Sequence, residues 1–218
     1  ESASRGFYEW ALANKPDVVF FNDIPALDSV WSYLPSEIKI VSVLHDHAYG
    51  WVRNTILRQK SINGIVAVSD FVKDSLVGKV GGYPGVFKVV ANGSTYPEAP
   101  TRSINLERLQ LVFLGAIDHQ KGAFDLPKIL QKLRDRLIDF DLKIIGGEST
   151  GLRSKFDQLW LTAHVQWFGR LPREDCFDEL AQSDILLMLS RGESFGLVTV
   201  EAMSMNCVPV GYASGGTV

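Results

Sequence analysis

Short runs of β-branched and apolar residues alternate with helical stretches along nearly the whole chain, and this alternation restricts the fold more than any other feature. Runs at 18–21, 38–44, 64–68, 87–91, 110–114, 141–145, 165–168, 185–189 and 208–211 have strand length and strand composition. Ile185-Leu186-Leu187-Met188-Leu189 carries no polar position at all, as a strand covered on both faces requires. Between most runs lie about 10–20 residues of helical periodicity, 124–138 and 173–182 being examples. Strand, helix, strand in that order builds parallel sheets from βαβ units, so the expected class is α/β.

The series is interrupted once. Asn92-Gly93-Ser94-Thr95-Tyr96-Pro97-Glu98-Ala99-Pro100-Thr101 combines turn formers with two prolines and little apolar content. It reads as an interdomain linker with the boundary near 93–107, giving domains 1–95 and 96–218. The first holds a helix and about four strands, the second about five strands and most of the chemical signals. No internal repeat or low-complexity tract appears.

Composition narrows the partners. With 218 residues, 46% of them hydrophobic and 22% charged, the chain can form cores. A net charge of -3 with scattered basic residues argues against a nucleic-acid partner. Cys176 and Cys207 have no ligand partners at metal spacing and are expected to be reduced core residues in a cytoplasmic protein. Asn92-Gly93-Ser94 fits a glycosylation sequon, but without a secretory signal it reads as a turn. No apolar run approaches the ~18–20 residues of a membrane span.

The chemistry concentrates in Arg191-Gly192-Glu193-Ser194-Phe195-Gly196-Leu197-Val198-Thr199-Val200-Glu201-Ala202-Met203. A buried strand at 185–189 leads into a turn at 190–195, then a helix at 196–206 with Leu197, Val200, Ala202 and Met203 as its apolar stripe. Ligands of open parallel sheets bind at the carboxyl ends of strands. A helix start offers unpaired N–H groups and a positive dipole end to an anion. Gly196 permits close backbone approach. Glu193 in the turn suits sugar hydroxyls, and Glu201, about one and a half turns into the helix, suits a ribose diol. A capped surface helix with solvated glutamates would produce the same local pattern.

Other features weigh less. His45 and His47 lie two apart, on the same side if both are in a strand, but no third metal ligand is evident nearby, so no protein-held metal is expected. Trp51, Trp160 and Trp167 read as core or packing residues. Gly146-Gly147-Glu148-Ser149-Thr150-Gly151 lacks the spacing of a dinucleotide fingerprint.

Taken from Asp184 through Glu201-Ala202-Met203 to Val208-Pro209-Val210 and Gly215-Gly216, the chain resembles the retaining glycosyltransferases of the GT-B fold, family 4, which carry a Glu–seven residues–Glu signature here. Leu111-Val112-Phe113-Leu114-Gly115 with Lys121-Gly122 looks like that family's first C-terminal strand and phosphate-binding lysine. Leu142-Lys143-Ile144-Ile145-Gly146-Gly147 looks like its second strand and glycine loop, and 165–169 and 181–184 match too. In the first half, Val41-Ser42-Val43-Leu44-His45-Asp46, Gly64-Ile65-Val66-Ala67-Val68-Ser69 and Val89-Val90-Ala91-Asn92-Gly93 follow in the family's order. The match spans roughly residues 15–218.

The resemblance implies two Rossmann-like domains facing a cleft and transfer of a hexosyl group from a nucleotide-diphosphate sugar to a sugar or lipid-linked acceptor. It implies that Glu193 contacts donor-sugar hydroxyls, that backbone amides of Phe195, Gly196 and Leu197 hold the diphosphate, and that Glu201 binds the ribose. Lys121 would neutralise the departing diphosphate and His45 would face the transferred sugar. No cofactor is implied, and the full-length protein is expected to allow peripheral membrane contact. Two positions depart from the family: Ala116 stands where an arginine usually follows the strand-ending glycine, with Arg191 or Arg153 as candidate substitutes, and Leu189 replaces a common proline. Family members also begin with another strand and a glycine-rich loop and continue past Val218. The chain is therefore expected to be truncated at both ends, with both domains incomplete, little activity alone, and sheet edges that favour self-association. The alternative function is a catalytically silent nucleotide- or partner-binding module of the same fold; an epimerase of this architecture lacks the turn signature.

Overall fold

Every strand among the described residues runs parallel to its neighbours. The computed structural model describes residues 3–22, 27, 30–47, 61–77, 83, 85–101 and 107–217. The chain divides into two compact units, Glu1–Gly93 and Ser94–Val218.

The first unit contains α1 (Ala3–Asn14), β1 (Val18–Asn22), β2 (Lys39–Leu44), β3 (Gly64–Ala67), α2 (Asp70–Val77) and β4 (Val86–Val89). Its sheet order is β1-β2-β3-β4, with Val19 opposite Ile40 and Val43 opposite Val66. Phe21, Ile40, Leu44, Ile65 and Ala67 form the buried side. Phe21 packs its ring on Trp31 at 4.8 Å and on Phe7 of α1 at 5.7 Å.

The second unit contains β5 (Leu109–Leu114), α3 (Leu126–Asp135), β6 (Phe140–Ile145), α4 (Thr150–Gln158), β7 (Val165–Gly169), α5 (Arg173–Ala181), β8 (Ile185–Met188), α6 (Leu197–Ser204) and β9 (Val208–Gly211). The sheet order is β7-β6-β5-β8-β9. From β5 the chain builds outward to β6 and β7, then returns to the other side of β5 for β8 and β9. The carboxyl ends of β5 and β8 thus flank a switch point, where connections leave in opposite directions. Two cores cover the two faces. Leu111 and Phe113 face α3 and α4, while Val112 faces α5 and α6. β8 divides likewise, with Leu187 on the first face and Leu186 on the second, so its run can be apolar throughout.

Two expectations change. The buried face of α6 is Val198 and Ala202, continued by Met205, whereas Leu197 and Met203 are exposed. Ala202 is buried as expected, but the polar residues Thr199, Glu201 and Ser204 do not gather on one face, so the pattern does not define the orientation of the rest of the stripe. Trp160 is 87% exposed rather than packed. It follows α4 with a left-handed φ of 56°, which turns it away from the core. Trp167 does pack, edge-on to Phe156 at 6.0 Å and under the Arg153 guanidinium at 4.2 Å. Trp51 lies outside the described residues, as do 102–106 of the expected linker. From Ser94 on, the linker belongs to the second unit, where Tyr96 packs against Phe177.

Candidate functional site

The loops leaving β5 and β8 are stitched to one another. After β5, the Lys121 amide donates to Asp118 Oδ1 at 2.7 Å, closing a turn. Gly122 has a left-handed φ of 71°, and a Cβ there would fall on the Leu189 carbonyl oxygen, so glycine lets this loop lie against the β8 exit. From the other side, the Arg191 amide donates to Gln120 O at 2.8 Å and its Nε to His119 O at 3.2 Å. Arg191 Nη2 also meets Asp125 Oδ2 at 2.9 Å.

This stitching brings Lys121 Nζ to 2.6 Å from Glu193 Oε1, across 72 residues of sequence. The Glu193 side chain is only 11% exposed. Its backbone is buttressed by the segment after β9: the Gly216 amide donates to Glu193 O at 2.6 Å and Ser214 Oγ to Ser190 O at 2.7 Å. A Cβ on Gly216 would strike the Ser194 carbonyl oxygen, which accounts for the Gly215-Gly216 pair.

Glu193 leads directly into α6. Gly196 caps that helix in the left-handed region, φ 83°, with no side chain bonding to the first turn. First-turn N–H groups have no helical carbonyl ahead of them, and the helix dipole adds positive potential there. Leu197, the first helical residue, is exposed. Glu201 lies one turn further on, its side chain 15% exposed, and Arg173 Nη2 donates to its Oε1 at 2.9 Å. The same nitrogen donates to Ser94 Oγ at 2.5 Å.

At the carboxyl ends of β5 and β6 lies a cavity of about 560 Å³, lined by Gly115, Ala116, Gly146, Gly147, Arg170 and Cys176 among others. Burial pushes the Cys176 thiol up, and the nearby Glu201, Asp175, Glu174 and Glu179 carboxylates push it the same way. Neither Arg191 nor Arg153 lines the cavity beside Ala116. Arg191 is engaged with Asp125 and His119, and Arg153 stacks on Trp167. Arg170 is the cation in that wall.

In the first unit, His45 follows the carboxyl end of β2, with Nε2 3.5 Å from Asn22 Oδ1. β2 ends at Leu44, so strand alternation does not align His45 with His47. His47 instead meets Asp46 at 3.3 Å and packs on Phe71 at 4.9 Å. No group of three His, Cys, Asp or Glu residues converges among the described residues.

Of the residues singled out from sequence, Lys121, Glu193, Phe195, Gly196, Leu197 and Glu201 all fall on the loops and helix at the carboxyl ends of the second sheet. His45 falls in the first unit. Arg170 and Arg173 were missed. A signal for Arg170 was its place directly after the strand-ending Phe168-Gly169. One for Arg173 was a cation opening a helix, where the dipole disfavours it.

A sequence model of the family described as "Glycosyl transferases group 1" matches residues 98–218. The phosphatidylinositol N-acetylglucosaminyltransferase GPI3 subunit of Saccharomyces cerevisiae is 26% identical over 194 residues, covering 80% of this chain and 43% of that protein. A glycogen synthase of Chlorobium phaeobacteroides is 28% identical over 180 residues, covering 79% of this chain and 36% of that protein. Among solved structures, the pneumococcal O-GlcNAc transferase GtfA in complex with UDP and GlcNAc superposes with a TM-score of 0.80 at 17% identity, over 96% of this chain and 44% of its own. The chain therefore spans less than half the length of these relatives.

Proposed function

The chain belongs to the glycosyl transferases of group 1 and has the GT-B fold, and from that membership we propose that it serves the transfer of a hexosyl group from a nucleotide-diphosphate sugar, with retained anomeric configuration. The observation that carries this reading is the Lys121–Glu193 pair at the β5/β8 switch point, beside the uncapped start of α6. It sets a cation, a carboxylate and free backbone donors around one point, the set that a diphosphate attached to a polyol requires.

In this proposal the diphosphate lies at the start of α6, against the amides of Phe195, Gly196 and Leu197. Lys121 Nζ meets it as negative charge grows on the leaving oxygen. Fixed donors aimed at developing charge lower the barrier most. Glu193 accepts from donor-sugar hydroxyls and Glu201 from the ribose diol. The nucleoside occupies the cavity walled by Gly146, Gly147 and Arg170. His45 keeps the role of facing the transferred sugar.

Retention follows from a front-face displacement. The bond from anomeric carbon to phosphate oxygen breaks, the acceptor hydroxyl oxygen bonds on the same face, and its proton passes to the leaving phosphate oxygen. A glycosidase-type double displacement needs a carboxylate nucleophile close to a second carboxyl group. Glu193 is instead paired with Lys121. No protein-held metal is required in this scheme. Further support comes from what relatives are called: the yeast relative is named an N-acetylglucosaminyltransferase subunit, and the pneumococcal structure contains UDP and GlcNAc. A lipid-linked or glycan acceptor is proposed on the same footing, in the cytoplasm. No helix among the described residues is long and apolar enough to cross a membrane.

The test is proton NMR of products formed from UDP- and GDP-hexoses with a panel of glycan and lipid acceptors. Products carrying the donor's anomeric configuration support the proposal. Inverted products overturn the mechanism, and nucleotide binding without turnover of any donor favours the silent binding module.

A further inference from the structure

We infer that Arg173 is a positioning residue for the ribose subsite, holding the Glu201 carboxylate through a bridge anchored on Ser94. The inference rests on the donor-site reading above and extends it to a residue and a segment outside that site. Glu201 projects from the second turn of a helix whose neighbouring positions are apolar, and its side chain is nearly covered. A carboxylate that must accept two hydroxyl hydrogens of one diol has to be held in one rotamer. Arg173 supplies that restraint with Nη2 2.9 Å from Oε1.

The restraint is itself restrained. The same nitrogen reaches Ser94 Oγ at 2.5 Å, and the guanidinium lies 5.2 Å from the centre of the Phe177 ring. Tyr96, two residues beyond Ser94, packs edge-on against that ring at 6.3 Å. Ser94 is the first residue of the second unit, so its opening segment is built into the support of Glu201. Helix energetics alone do not favour this arrangement. Arg173 is the first residue of α5, where the dipole repels a cation, and the two following acids, Glu174 and Asp175, are the residues that position prefers. The Glu201 carboxylate is also near enough to Cys176, which lines that cavity, to help push its thiol up.

The experiment is calorimetric titration of UDP and GDP, and of their 2′,3′-dideoxy counterparts, into the full chain and its variants. Arg173→Ala is expected to weaken binding of the ribonucleotide about tenfold and of the dideoxy form less than about twofold. In a Glu201→Ala background, Arg173→Ala should add nothing further. Arg173→Lys, which keeps the charge on a shorter side chain and loses the guanidinium lying by the Phe177 ring, should fall between, and Ser94→Ala should cost about two- to threefold. Equal losses on the ribo and dideoxy forms would mean a general structural role and would overturn the inference. So would unchanged affinity in every variant while the unaltered chain binds nucleotide. If the unaltered chain binds neither nucleotide, the donor reading fails and this inference fails with it. Should Arg173→Ala not fold, Arg173→Lys and Ser94→Ala carry the same comparison.

Discussion

The two ends of the five-stranded sheet use the same chemistry for different ends. At the amino ends, Arg108 grips Asp141 with Nε at 2.6 Å and Nη2 at 2.7 Å, and buried Asp184 accepts from the Gln110 amide at 2.7 Å. The Asp184 amide returns a bond to Gln110 O, and its carbonyl accepts from Val208. These contacts join adjacent strands near their first residues, and they lock register. At the carboxyl ends, Lys121–Glu193 and Arg173–Glu201 join loops and helices that are far apart in sequence. They place charged groups at the strand ends where open parallel sheets take ligands. An ion pair is therefore informative about function through what it joins and what it faces, more than through its length.

That contrast can be broken by mutation. The largest effect is expected for Lys121→Ala, which should slow transfer about 100-fold while leaving the thermal midpoint nearly unchanged. A matching loss of stability would place Lys121 with the structural pairs. Asp184→Ala should do the reverse. Leaving the Gln110 amide unsatisfied in a core costs about 1–3 kcal/mol in urea unfolding, with nucleotide affinity of the folded protein preserved. Arg108→Ala should cost less, because the arginine side chain is 47% exposed.

The Arg108 pair also has a pH signature. Its guanidinium holds the Asp141 carboxyl below the usual carboxylate range, with the Gln110 side chain helping and burial opposing. The folded state thus binds that proton less readily than the unfolded chain. The stabilisation is full above the unfolded pKa near 4 and is lost as pH falls through the folded value. Arg108→Ala should flatten that acid limb in unfolding measured across the acid range, and an unchanged slope would contradict the pairing. The smallest effect concerns Cys176. With its thiol pushed up by burial and nearby carboxylates, iodoacetamide should modify it slowly at neutral pH and faster in alkali, and bound nucleotide should protect it. Fast labelling at neutral pH that nucleotide does not slow would separate Cys176 from the nucleotide cavity.

Much of this architecture is legible in the amino-acid sequence. Strands of a parallel α/β sheet are apolar on both faces, so runs such as 185–189 announce themselves, and all nine expected runs overlap an observed strand. The turn after β8 was legible for a related reason: Glu193, Gly196 and Glu201 carry their meaning by local spacing. What was not legible depended on pairs distant in sequence. Nothing local to Arg173 tells that it meets Glu201, 28 residues on, or Ser94, 79 residues back. Nor does Arg191 reveal its bond to Asp125, 66 residues away. Orientation is not legible where polar residues are scattered around a helix, as on α6, and the left-handed backbone that exposes Trp160 has no local sequence signal.

The carboxyl end of the second sheet is proposed to be a nucleotide-diphosphate site. Calorimetry of UDP and GDP with the unaltered chain, Lys121→Ala and Glu201→Ala tests it most directly. One-site binding of at least one nucleotide is expected, weakened at least tenfold by each substitution. Binding that neither substitution changes, or no binding of either nucleotide, would contradict it.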